Sequence, residues 1–312
     1  MKKIGIALGG GGARAAAHLG VLEALDDAKI PISFISGSSS GAIVAAAYAA
    51  DNFDFLKNHA AKVRRRQLFA AADFMVFGLG LFKGVKIKEI IDLITLKKDF
   101  KDAKIPVAII ATEADTLKEV IIKDGSLTSA VMASCCIPGL FSPTVCGSKN
   151  LIDGGLVNHL PTKVLYDLGA DYVIAVETRA QKDHPLIKVG RLTKLRLQKI
   201  NNKLGFWNEQ VDRLKKGEPS KINRWIRGLI NSQNEARQKN ESYNIFDIIM
   251  TSYNSVVNGV ALDNLKKTRY DILIRPDVES FGRSEFHRAD ELIKIGYQAG
   301  KIAAEKIKKE IA

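Results

Sequence analysis

The tightest constraint lies at residues 32–50, where Ile-Ser-Phe-Ile-Ser-Gly-Ser-Ser-Ser-Gly runs directly into Ala-Ile-Val and a series of alanines. Residues 32–36 read as a short strand and residues 42–50 as a helix of small side chains. Gly37-x-Ser39-x-Gly41 fills the interval and leaves no residues for a loop. A strand that turns straight into a helix strains the residue at the turn, and small residues two before and two after it relieve the crowding. Only Ser39 has glycine at both of those positions; Ser38 has Ser36 and Ser40 instead. The elbow lifts the Ser39 hydroxyl clear of the sheet. The helix start behind it carries partial positive charge, which favours negative charge at that point. A serine-rich turn with no chemistry is the plainer alternative.

Upstream, residues 3–8 form an apolar strand that runs into Gly9-Gly10-Gly11-Gly12-Ala13-Arg14 and then a helix to about residue 29. His18, Val21, Leu22 and Leu25 share one face of that helix. Consecutive glycines let the backbone approach a ligand closely and offer amide N–H groups to an anion, either a phosphate or the oxyanion of acyl transfer. Gly10-x-Gly12-x-x-Ala15 fits the loose dinucleotide pattern, but the acidic residue expected after the second strand is missing there. No Gly-Lys-Ser/Thr follows, so a P-loop is excluded. The oxyanion role fits better, because the loop after strand one and the elbow after strand two open at the same sheet edge.

Further along, residues 51–103 read as mostly helical, with a basic cluster at 62–66 and a glycine-broken apolar run at 74–82. The first is read as a solvated face, and the second as core packing or the wall of an acyl pocket. Strands are expected at 105–111, 119–123, 171–177 and 270–275, and helices at 126–136, 161–168, 244–265 and 285–309. Asp153-Gly154-Gly155 lies between two apolar runs. It reads either as a hairpin turn or as an acidic residue held at a strand end and aimed at Ser39.

The chain has 312 residues, 46% of them hydrophobic and 26% charged, which is the composition of a folded globular protein. No apolar run reaches the ~18 residues of a membrane span. The apolar stretch behind Met1-Lys2-Lys3 is too short for a signal peptide. Three cysteines, two of them adjacent at Cys135 and Cys136, suit reduced thiols rather than a disulfide framework. A cytoplasmic location is expected, with peripheral contact at the inner face of the membrane, and no metal-ligand spacing is present. The net charge is +13, and residues 179–239 carry 16 Lys/Arg against five Asp/Glu. Residues 179–242 thus form a basic segment with interleaved apolar residues and both tryptophans, Trp207 and Trp225. It reads as an insertion packed on the main domain or as a helical surface for an anionic membrane. No nucleic-acid motif accompanies the charge, and nucleic acid is not an expected partner.

Four blocks together resemble the patatin-like phospholipase family in its bacterial form. They are Gly9 to Arg14 with His18-Leu19-Gly20-Val21; Gly37-Ser38-Ser39-Ser40-Gly41; Ala133-Ser134 through Pro138 to Phe141 and Pro143; and Asp153-Gly154-Gly155 with Asn158 and Pro161. The resemblance covers residues 3–178 and, more weakly, 244–304. It implies one acyl hydrolase domain over 1–312, a three-layer α/β/α sandwich with a mainly parallel central sheet, interrupted by the basic insertion at about 179–242. The implied reaction is hydrolysis of a lipid or phospholipid ester, without calcium or any cofactor. Carried over residue by residue, Ser39 is the nucleophile and Asp153 its base. Gly10, Gly11 and Gly12 supply oxyanion donors with the N–H of Ser40. Arg14 steadies the loop or attracts a phosphate, and Gly37, Gly41 and Gly154 shape the backbone. Ala15 stands where the family usually has glycine.

An ordinary aspartate, with a pKa of about 3.9, is a poor base toward a serine hydroxyl. The dyad therefore requires a sheltered Asp153 with a raised pKa, within hydrogen-bond reach of Ser39. The rival base is a histidine, with His18, His159 and His287 as candidates. The rival function is a membrane- or partner-binding protein of the same fold that hydrolyses little.

Overall fold

A computed structural model describes residues 2–62, 84–179 and 245–311. Eight strands form one sheet: β1 (Ile4–Leu8), β2 (Ile32–Ser38), β3 (Val107–Glu113), β4 (Glu119–Ile122), β5 (Thr144–Cys146), β6 (Lys149–Asp153), β7 (Tyr172–Val176) and β8 (Ile272–Ile274). The described helices are α1 (Ala16–Asp27), α2 (Ser40–Ala49), α3 (Phe53–Ala60), α4 (Val85–Thr95), α5 (Leu127–Ser134), α6 (Lys163–Asp167), α7 (Ile245–Lys267) and α8 (Ala289–Ile311). The chain divides into two compact units, residues 1–183 with 253–312, and residues 184–252. Of the second unit, the described part is the first stretch of α7, residues 245–252. The basic residues 63–66, the apolar run 74–82 and the segment 180–242 lie outside the described residues.

β1 and β7 are buried along their whole lengths, as continuous apolar runs require of central strands. The sheet order is β5-β6-β3-β2-β1-β7-β8, with β4 also on β3. The pairs β3–β2, β2–β1, β1–β7 and β7–β8 are parallel. The pairs of β3 with β4, β3 with β6, and β5 with β6 are antiparallel. Alternation along β1 sorts its side chains between two layers. Ile4, Ile6 and Leu8 join the large core that includes residues of α1, α2, α5 and α8. Ala7 joins a smaller core with Leu160, Leu165, Val173 and Ala175 on the other face. The three-layer arrangement expected from the resemblance is present.

Several boundaries differ from the sequence reading. β3 starts at Val107 because Pro106 has no N–H to give to a ladder. α5 ends at Ser134, two residues before the expected end, and Ser126 caps its start by accepting the Ser129 N–H at 3.4 Å. Asp153-Gly154-Gly155 is not a hairpin turn. The hairpin lies between β5 and β6, around Gly147, and Asp153 ends β6 and leads into a 3-10 turn at Gly154–Leu156.

α1 and α8 pack through their backbones. A methyl group on Gly20 would stand 1.9 Å from the Ile293 carbonyl oxygen, and one on Gly296 would stand 1.9 Å from that of Ala17. Neither helix can withdraw, since Leu292, Ile293, Ala303, Ala304 and Ile307 hold α8 in the core. Gly20→Ala is therefore expected to destabilise the protein by about 1–3 kcal/mol through overpacking. Gly259→Ala, at an exposed position of α7 with no atom within 4 Å of the added methyl, is expected to stabilise it by about 0.5–1 kcal/mol. Urea unfolding curves of the two variants check both signs.

Candidate active site

The elbow forms as the sequence requires. β2 runs to Ser38, Ser39 takes φ 53° and ψ −129°, and α2 begins at Ser40. A methyl group on Gly37 would lie 2.6 Å from the Gly41 carbonyl oxygen, and one on Gly41 would lie 2.3 Å from that of Leu8. Only glycine lets β2, α2 and the end of β1 approach this closely. The Ser39 N–H donates to the Ser134 hydroxyl at 2.8 Å, which ties the elbow to the end of α5.

Sheet register brings Asp153 to this point. Ser38 of β2 pairs with Ile110 of β3, and Asp153 of β6 pairs with Ala111, the next residue of β3. β4 pairs with both Ile110 and Ala111, so it occupies the opposite edge of β3. β2 and β6 therefore follow one another along a single edge, and β6 takes over where β2 turns away. The Ser39 hydroxyl donates to Asp153 Oδ2 at 2.8 Å. Oδ1 accepts the Gly155 N–H at 2.8 Å. Thr112 Oγ1 donates to the Asp153 carbonyl at 2.8 Å, and the Asp153 N–H donates to the Cys136 carbonyl at 2.8 Å. Gly154 lies against β3, where a methyl would meet the Ile110 carbonyl oxygen at 2.1 Å.

Asp153 is fully buried. Burial pushes its pKa up from 3.8 to about 6, against the opposing hydrogen bonds from Ser39, the Gly155 N–H and Tyr253 and the charge of His159. Cys135 and Cys136, at the end of α5, lie near the same carboxylate; burial and its charge push both thiols up, so they stay neutral.

The glycine-rich loop runs alongside Ser39. A methyl on Gly10 would stand 3.2 Å from Ser39 Cβ. Several amides of the loop are already engaged. Gly9 N–H donates to the Val176 carbonyl at 3.0 Å, and Ala13 N–H to that of Arg283 at 2.8 Å. The expectation for Gly11 needs correction: its N–H is taken by the Ser40 hydroxyl at 3.0 Å. Of the other expected donors, Gly10 lies against Ser39 and Ser40 follows it in the first turn of α2, whereas Gly12 packs against Arg283. Arg14 also departs from the phosphate-attracting role. It is buried, and its Nε donates to the Phe281 carbonyl at 2.6 Å, steadying the loop from behind. Ala15 takes φ −61° and ψ −14°, an ordinary right-handed conformation that alanine enters without strain.

Two histidines support the loop from below. His18 Nε2 donates to the Gly9 carbonyl at 2.7 Å, and burial lowers its pKa to about 4. His159 Nε2 meets Glu177 Oε1 at 3.1 Å, with both side chains buried. Glu177 also accepts the Arg179 N–H at 2.8 Å. Burial would raise the Glu177 pKa, but the charges of His159 and Arg179 hold it below the usual carboxylate range. Thr178 Oγ1 donates to the Gly10 carbonyl at 3.1 Å. His287 lies in a 3-10 turn, Phe286–Arg288, ahead of α8. The hydrogen bond of the Ser39 hydroxyl runs to the carboxylate, with no histidine between them.

Sequence reasoning missed two parts of this site. Glu177 was read only as the end of a strand. Tyr253 was read only as part of a long helix, yet its hydroxyl lies beside the Asp153 carboxylate and Gly155. A faint signal existed: Tyr253, Val257 and Ala261 recur at helical spacing, and the last two are fully buried.

Residues 6–166 match the family model described as patatin-like phospholipase. The chain belongs to the patatin-like phospholipase family. It is 27% identical over 311 residues to mouse (Mus musculus) patatin-like phospholipase domain-containing protein 6, a match covering 96% of this chain and 20% of that protein. It is 32% identical over 183 residues to an uncharacterized NTE family protein of Mycobacterium tuberculosis, covering 59% of this chain and 51% of the relative. A lysophospholipase of Coccidioides immitis is 28% identical over 329 residues, 99% of this chain and 18% of that one. The chain thus spans about a fifth of the mouse and fungal relatives. The crystal structure of VipD from Legionella pneumophila shares the fold, with a TM-score of 0.57 at 12% identity over 98% of this chain and 67% of that one.

The raised pKa of Asp153 carries a stability cost in a defined pH window. Below about 4 the folded and unfolded chains both hold this proton. Between about 4 and 6 only the folded chain keeps it, so stability falls as pH rises through that interval and the full cost applies above it. A two-unit difference amounts to about 3 kcal/mol. Asp153→Asn is expected to gain about 2–3 kcal/mol over the parent at pH 8 compared with pH 4. Denaturant melts at the two pH values check this; a gap between variant and parent that does not change with pH would remove the assignment.

Proposed function

We propose that the chain is a serine hydrolase that cleaves carboxylic esters of lipids through Ser39 and Asp153. The observation that carries this reading is the 2.8 Å hydrogen bond from an elbow hydroxyl to a buried carboxylate. Asp153 takes the Ser39 proton as Oγ attacks the ester carbonyl. The developing oxyanion is held by the amides of Gly10 and Ser40 at the positive end of α2. As the tetrahedral species collapses, Asp153 passes its proton to the departing alcohol and an acyl group remains on Ser39. Water then attacks that acyl group, giving its proton to Asp153, and Ser39 recovers its hydrogen as the fatty acid leaves. A carboxylate poised near 6 accepts a proton more readily than an ordinary one.

A lysophospholipid is the substrate type proposed, by analogy with the name of the fungal relative. The charge of residues 179–239, 16 Lys/Arg against five Asp/Glu, supports contact with an anionic lipid surface at the inner face of the membrane.

Ser39→Ala and Asp153→Asn are each expected to lower hydrolysis of p-nitrophenyl butyrate and of a lysophospholipid by about a thousandfold or more while the fold is retained. In the parent, kcat/KM is expected to fall about tenfold per pH unit below roughly 6, because the base must be ionised. A parent that hydrolyses neither ester and takes no fluorophosphonate on Ser39 would instead favour the binding role.

A further inference from the structure

The buried Asp153 carboxylate has room for a third donor beyond Ser39 and the Gly155 amide. The Tyr253 hydroxyl takes that place, reaching both the carboxylate and Ser39. A methyl on Gly155 would stand 3.0 Å from Asp153 Oδ1, 3.6 Å from the Tyr253 hydroxyl and 3.6 Å from Val257 Cγ1. The tyrosine hydroxyl thus lies close to the carboxylate, and Val257, one helical turn on, packs at the same spot. Burial pushes the Tyr253 hydroxyl well above its usual range, with the Asp153 charge acting in the same direction. It stays protonated throughout the working range of the protein and donates to the carboxylate.

This donor matters most in one stage of the proposed cycle. In the resting protein Asp153 has three donors. Once the acyl group is on Ser39, that hydroxyl no longer exists. Asp153 has given its proton to the departed alcohol and is again a buried anion, yet it must activate water. We propose that Tyr253 is the fixed donor that keeps Asp153 ionised and oriented as a base through the acyl-enzyme stage. This inference rests on the hydrolase reading. Among the described residues, the titratable groups around the carboxylate are His159 on the Gly9–Gly10 side, the neutral thiols of Cys135 and Cys136, and Tyr253 itself; Arg283, ahead of α8, bears on the tyrosine.

Tyr253→Phe keeps the ring and removes the donor. With p-nitrophenyl butyrate in stopped flow, the steady rate is expected to fall about tenfold or more. The rate constant of the initial p-nitrophenol burst should change less. The acid limb of kcat/KM should move up by about one unit, since a hydrogen bond that favours the anion is lost. Fluorophosphonate titration of Ser39 normalises each preparation to its folded fraction. Val257→Ala, which loosens the packing and keeps the hydroxyl, is expected to leave the acid limb in place; a shift there equal to that of Tyr253→Phe would assign the effect to packing. Carbon-13 NMR of the Asp153 carboxyl in a Ser39→Ala background gives a readout without turnover, and adding Tyr253→Phe should raise its pKa. An unmoved carboxyl titration, or a Tyr253→Phe protein with parental kinetics, overturns the inference while an active parent keeps the hydrolase reading. A parent inactive on every ester removes that reading, and the NMR titration still decides whether the hydroxyl holds the carboxylate.

Discussion

The geometry of the site depends on one change of partner along a single edge of β3. β2 occupies that edge as far as Ile110 and β6 occupies it from Ala111, while β4 holds the opposite edge past both positions. Two residues 114 positions apart in the chain thereby become neighbours at 2.8 Å. Neither strand has latitude in this. A one-residue slip of β6 would turn every side chain to the other face of the sheet. Leu151 would then leave the core, so the packing of the hydrophobic face fixes where Asp153 ends. The glycines around the elbow act at the same junction, because a side chain at Gly37 or Gly41 would drive α2 away from β1 and β2.

That enforced burial also sets the chemistry. An aspartate at the end of a solvated strand would be an ordinary weak base. Here the sheet edge, the end of α5 and α7 enclose it, and desolvation raises its pKa to about 6. The donors around the carboxylate oppose that rise, so the value is a balance between desolvation and hydrogen bonding. The glycine-rich loop shows a related division of labour. Its carbonyls are held from behind by His18 and Thr178, and several of its amides are engaged within the fold. Of the loop glycines, Gly10 lies against Ser39. The Ser40 hydroxyl fixes Gly11 and so helps to orient the neighbouring amides rather than leaving the loop to be ordered by a ligand.

What could be read from the sequence followed from local rules. Glycine spacing identified the elbow, and apolar runs identified β1, β3 and β7, because both signals lie within a few residues. Signals that depend on a distant partner were weaker. Asp153-Gly154-Gly155 satisfies the local pattern of a hairpin turn, and only the pairing of β6 with β3 and β5 excludes that. Glu177 looked like a strand terminus because its partner His159 belongs to a different loop. Tyr253 sits in a helix whose polar and apolar residues give no sharp face. Its meaning comes from an element placed against it by the fold, of which the spacing of Tyr253, Val257 and Ala261 gives only a faint sign.

The ends of the basic segment also follow from the frame rather than from the segment. The chain leaves the described fold just after Arg179, whose N–H contacts Glu177 and whose Nη1 donates to the Asn258 carbonyl at 2.9 Å. It re-enters the first unit at Tyr253, on the helix that carries Asn258. Departure and return are thus clasped to each other within the first unit, next to the His159–Glu177 pair on one side and the Asp153 carboxylate on the other. Such a clasp lets a long insertion enter the chain without disturbing β7 or β8, because the strands on either side are positioned by their own pairing.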